Sequence, residues 1–88
     1  MCDLFEQLAK GLFPIAEQVH DDDEPDIEEL WYIFDHDACA ALASASAILV
    51  NHDVKLPDRL YELFKQVGQP GDCLDEDFAD LEEIYLRK

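Results

Sequence analysis

Eighty-eight residues suit one small domain built on a single core and leave no room for two. Asp and Glu number 22 against 6 Lys and Arg, and the resulting formal net charge of -16 excludes direct binding to a nucleic-acid backbone. A hydrophobic share of 49% equally excludes a disordered acidic tail, so the expectation is a folded domain, residues 1–88, that tolerates strong self-repulsion.

Asp3 followed by Glu6 has the D-x-x-E form of a capping box and opens a first helix. Leu4, Leu8, Leu12, Ile15 and Val19 recur at helical spacing, and Phe5, Ala9 and Ala16 widen the stripe. Pro14 lacks an amide proton and crowds the preceding turn, so with Gly11 just upstream a break or kink is expected between them. His20 to Asp26 holds five carboxylates and a proline in seven residues and reads as a solvated loop. Asp26 with Glu29 repeats the capping box, and Ile27, Leu30, Trp31 and Phe34 then form one face of a short helix. Glu28, Glu29 and Tyr32 project from the other face, Tyr32 as a surface tyrosine or an aromatic anchor among carboxylates.

Asp35 or Asp37 caps the next helix, ACAALASASAILVN, which is apolar almost all round and therefore belongs in the middle of a bundle. Its small residues admit close neighbours, its serines are expected to bond back to carbonyls one turn earlier, and Asn51 is its expected stop. Pro57 begins a charge-balanced helix whose buried side is Leu60, Leu63, Phe64 and Val67, ending at Gly68. After the turn at residues 68–72, a last helix carries Leu74, Phe78, Leu81 and Tyr85 on one face and Glu76, Asp80 and Glu83 on the opposite one. The fold expected is an all-α bundle of about five short helices around the alanine-rich one.

Three cysteines without C-x-x-C spacing, Cys2, Cys39 and Cys73, fit a disulfide framework poorly and read as a reducing compartment. The N-terminal residues lack a signal peptide's basic leader, and the longest nearly apolar run, Ala38 to Val50, is shorter than the roughly 20 residues that span a bilayer. A cytoplasmic protein without a membrane partner is expected.

Chemistry finds little purchase. His20-Asp21, His36-Asp37 and His52-Asp53 are spaced sixteen residues apart and suggest metal binding, yet all three fall at helix junctions, where dipoles favour His and caps favour Asp. An EF-hand loop needs Gly at its sixth position, whereas counting from Asp21 or Asp22 gives Asp26 or Ile27. Cysteine–histidine catalysis needs an electropositive pocket that this chain has few cations to build. No catalytic residue, cofactor or metal is therefore assigned.

What remains is the distribution of charge. Nine of the 22 acids lie between His20 and Asp37 and seven between Asp72 and Glu83, while no Lys or Arg occurs from Gly11 to Val54. Rows of carboxylate on a rigid scaffold present charge as a phosphate backbone does, and a surface built for phosphates attracts them largely without regard to sequence. In size, acidity and helical composition the chain resembles the small acidic phage proteins that block restriction or CRISPR nucleases. That resemblance implies a non-enzymatic inhibitor or regulator acting as a DNA or RNA mimic on a basic nucleic-acid-binding protein, a nuclease or effector complex, in the host cytoplasm if phage-encoded. The competing readings are solvated acidic faces, a halophile's surface, and an acidic adaptor or regulatory subunit that binds a basic protein without mimicry. Either binding reading assigns the contact to Asp21, Asp22, Asp23, Glu24, Asp26, Glu28, Glu29 and Tyr32 in one patch and Asp75, Glu76, Asp77, Asp80 and Glu83 in another. Monomer and homodimer are both compatible with this arrangement.

Overall fold

The helix signals become five helices in a computed structural model that describes residues 4–69 and 71–87: α1 (Leu4–Val19), α2 (Ile27–His36), α3 (Ala38–Asn51), α4 (Asp58–Val67) and α5 (Asp75–Leu86). No strand occurs among the described residues, and the architecture is an all-α compact globule. The capping role expected of Asp3 lies outside them.

The break expected between Gly11 and Pro14 does not occur: α1 runs through the proline without interruption. Leu8, Ala9, Leu12, Phe13 and Ala16 are buried on both sides of Pro14, while Pro14 itself is exposed. An interior proline costs about 3 kcal/mol, but burying Leu12 and Phe13 contributes about 1.5 to 3 kcal/mol each, so one continuous buried face outweighs the lost hydrogen bond. Gly11 serves packing instead of a break, because a Cβ there would overlap the side chain of Leu60 on α4.

Caps set the next two helices as the sequence suggests. Asp26 accepts from the Glu29 amide at 2.8 Å, and Asp37 accepts from the Ala40 amide at 3.2 Å. Since Asp37 alone separates α2 from α3, the chain reverses sharply and α2 packs back along α3. Trp31 and Phe34 of α2 meet Phe13 of α1 edge-on, with ring centroids 4.7 and 6.1 Å away, and close the core at that side.

α3 is central and packs against α1, α2 and α5. Its buried residues are Ala41, Leu42, Ala45, Ser46, Ile48 and Leu49, and the Ser46 hydroxyl donates to the Leu42 carbonyl at 2.8 Å, as expected of a mid-helix serine. Ala47 and Asn51 remain exposed on the side opposite that buried arc.

Two links hold α3 and α5 side by side and running the same way. At their beginnings Cys39 and Cys73 form a disulfide with Cα atoms 6.6 Å apart, and at their ends Arg87 binds Asp53 at 3.0 Å. The disulfide corrects the reading of unpaired cysteines. Parity and spacing carry no trace of it, because the fold brings together residues 34 apart, and the argument for a reducing compartment loses its premise. No helix among the described residues is long and apolar enough to cross a membrane.

The α4–α5 seam differs in detail from expectation. Tyr61 is buried where Leu63 was expected to be, and Ile84 where Tyr85 was, leaving Leu63 and Tyr85 half-buried. The reason is a pair of stacked rings: Tyr61 and Tyr85 lie 3.9 Å apart at 7°, each with an apolar body inside and a hydroxyl at the rim. Gly68 is buried against Phe78, whose Cβ would lie 2.5 Å from any Cβ added at the glycine. The Tyr61 hydroxyl donates to Glu82 at 2.5 Å and that of Tyr85 to Asp58 at 2.6 Å.

The Glu82 carboxylate, with burial, pushes the Tyr61 phenol up to about 12, against an ordinary value of 10.0. A raised phenol pKa adds stability that is complete below pH 10 and is lost as the pH climbs through 12. Alkaline unfolding followed by circular dichroism is therefore expected to set in across that interval and to move to higher pH in Tyr61→Phe. An unmoved onset would show that another group triggers it.

Candidate functional site

The acidic loop between α1 and α2 is folded on itself before it can present anything. The Asp21 amide donates to Glu24 Oε1 at 2.7 Å, the Glu24 amide to the Asp21 carbonyl at 3.0 Å, and the Ile27 amide to Glu17 Oε1 at 3.2 Å. Glu24 turns inward from this loop to the far end of α3. Its Oε1 lies 3.0 Å from His52 Nε2, and its Oε2 accepts from the Asn51 side-chain Nδ2 at 3.3 Å. Asp21 Oδ2 stands 3.6 Å from the same His52 nitrogen. The Asp21 amide, then the His52 ring, hold the Glu24 carboxyl down to about 2, and Glu24 in turn raises the His52 pKa against the opposing effect of burial.

Of the three His-Asp pairs, His20 and His36 are junction residues. Their Nδ1 atoms lie 2.7 Å from the Glu17 carbonyl and 2.9 Å from the Tyr32 carbonyl, each within the last turn of its own helix. His52 follows the last turn of α3 in the same way but also reaches across to the acidic loop. The sequence gives no sign of this contact, since Glu24 and His52 are 28 residues apart.

The other acids of the first patch face outward. Asp21, Asp22, Asp23, Asp26, Glu28 and Glu29 are exposed, Glu24 is half-buried, and Tyr32 is 66% exposed with its ring 4.6 Å from that of His36. In the second patch Glu76, Asp80 and Glu83 are exposed, whereas Asp75 and Asp77 are half-buried. Asp75 accepts from the Gly71 amide at 3.1 Å. Burial first, and then Asp80, Glu76 and Asp75, push the Asp77 carboxyl up. Glu83 shares Arg87 with Asp53 at 3.7 Å. Besides Arg87, the one Lys or Arg ion pair among the described residues joins Lys10 to Glu6, far from both patches in sequence.

α2 and α5 do not pack against each other among the described residues; each lies against α3. The two acidic rows therefore sit on separate neighbours of the central helix, whose own Ala47 and Asn51 are exposed. The Cys39–Cys73 link ties the start of α3 to the start of α5, and Asp35 and Asp37 before the first cysteine and Asp72 before the second are exposed. All three belong to the acidic stretches read from the sequence, which left them out of the assigned contact. Comparison with protein-family models, curated proteins and solved structures finds no match for this chain.

Proposed function

We propose that this protein is a stoichiometric inhibitor or regulator that binds a basic nucleic-acid-binding protein through its two acidic rows, standing in for a DNA or RNA backbone. The observation that carries the reading is the display of outward carboxylates by two segments that both pack on one central helix, on a chain of net charge -16, with so few cations to neutralise them. Like-charged neighbours a helical turn apart cost about 0.2 to 0.5 kcal/mol each, and an opposing cationic surface would relieve that cost on binding. Exposed Tyr32 adds an aromatic contact inside the first row.

The test is a gel-shift competition with the partner that the protein retains. The protein should displace labelled nucleic acid from that partner at about one equivalent, and affinity should fall by more than about tenfold as salt rises from 50 to 500 mM. A complex that retains its nucleic acid while carrying this protein would replace mimicry with the adaptor reading.

A further inference from the structure

We propose that Asp21, Glu24 and His52 form a binding site for one divalent transition-metal ion of the zinc type, clasping the acidic loop to the end of α3. The set is one imidazole nitrogen and two carboxylate oxygens drawn from two separate parts of the chain, with a ligand atom of each within 4.8 Å of the others. In a tetrahedral zinc site with ligands roughly 2.0 to 2.1 Å from the metal, neighbouring ligand atoms stand about 3.4 Å apart. His52 Nε2 lies 3.0 Å from Glu24 Oε1 and 3.6 Å from Asp21 Oδ2, two spacings within a few tenths of an ångström of that value, and the two carboxylates are within 4.8 Å of each other, so exposed Asp21 makes the larger adjustment.

The ligands are also positioned from behind. Asn51 and the Asp21 amide fix the Glu24 carboxylate, which is only 15% exposed, while Asp21 is 69% exposed and leaves the approach open. Imidazole with two carboxylates suits zinc and its neighbours, whereas calcium takes six to eight oxygens and magnesium keeps most of its water. His36 faces a backbone carbonyl of its own helix, and His20 faces a carbonyl and one carboxylate, Glu17 Oε1 at 3.5 Å, so neither gathers two carboxylates among the described residues. The site shares Asp21 and Glu24 with the first acidic patch, but it does not rest on the partner proposed above, and its failure would leave that proposal standing.

The experiment titrates the purified, metal-stripped full chain with Zn2+ at pH 7.5, by calorimetry and by NMR of the histidine rings. One equivalent is expected to bind and to move the His52 ring signals while those of His20 and His36 stay in place. His52→Gln and Asp21→Asn should each weaken binding at least tenfold, whereas Asp22→Asn with Asp23→Asn should change it less than twofold. Cys2→Ser, which removes a competing thiol, should leave it unchanged. Equal movement of all three histidines, equal loss from the Asp22 and Asp23 change, dependence on Cys2, or equally tight binding of Ca2+ or Mg2+ would each overturn the proposal. Because the NMR measurement uses the unaltered chain, a variant that fails to fold does not protect it.

Discussion

Replacing Phe13 by alanine is expected to lower the unfolding free energy by about 3 to 5 kcal/mol, a large part of what a domain of this size commonly has. Phe13 has no exposed surface and is among the largest fully buried side chains. It also touches both aromatic rings through which α2 meets α1, Trp31 and Phe34. Its removal leaves a cavity at the joint that carries the acidic loop, and the neighbouring Pro14 denies that part of α1 one backbone hydrogen bond with which to compensate. Urea unfolding followed by Trp31 fluorescence reads the change directly, since that ring lies 4.7 Å from Phe13. A loss below about 1 kcal/mol would mean that the site collapses around the missing ring and that the joint is held elsewhere.

Converting Asp22, Asp23, Glu28 and Glu29 to their amides is expected to reduce partner affinity by at least 100-fold while thermal stability stays level or rises. All four are exposed, and the caps and loop bonds at this end use other side chains: Asp26, Glu24 and Glu17. Removing their charge relieves repulsion along α2 and deletes no contact that the fold depends on. Glu24→Gln supplies the contrast, because it disturbs the clasp with Asn51 and His52 and should lower the melting temperature. Binding measured at one fixed salt concentration, beside a melting curve for each variant, separates the two effects. Unchanged affinity in the fourfold variant would remove the acidic loop and α2 from the contact and with them the mimicry reading.

Local rules were enough for the helices and their caps. Asp26 and Asp37 cap where their spacing to apolar runs implies, and the alanine-rich segment is central because a helix apolar almost all round has nowhere else to go. What escaped those rules was tertiary in origin. Pro14 signals a break only while its helix is considered alone; the shared buried face of Leu12, Phe13 and Ala16 overrides it. Tyr61 and Leu63 exchange burial because a ring on α5 waits to stack on the tyrosine, which the periodicity of α4 by itself does not reveal. For the candidate site, composition revealed which residues carry the charge. It did not reveal that Glu24 would turn inward to His52 or that both rows would sit beside α3, since both depend on chain segments meeting across long separations.

The Cys39–Cys73 bond also gives the chain a covalent shape of its own. It closes a ring that contains all of α4 and nearly all of α3, from which the α1–α2 segment and α5 leave as two tails rooted at adjacent points. A single cut in the connection between α3 and α4 opens the ring yet leaves one covalently joined molecule. A single cut in the acidic loop, outside the ring, sheds α1 and with it Phe13, one of the two phenylalanines with no exposed surface. The segment placed at the centre of partner binding is thus also the one whose continuity no cross-link protects.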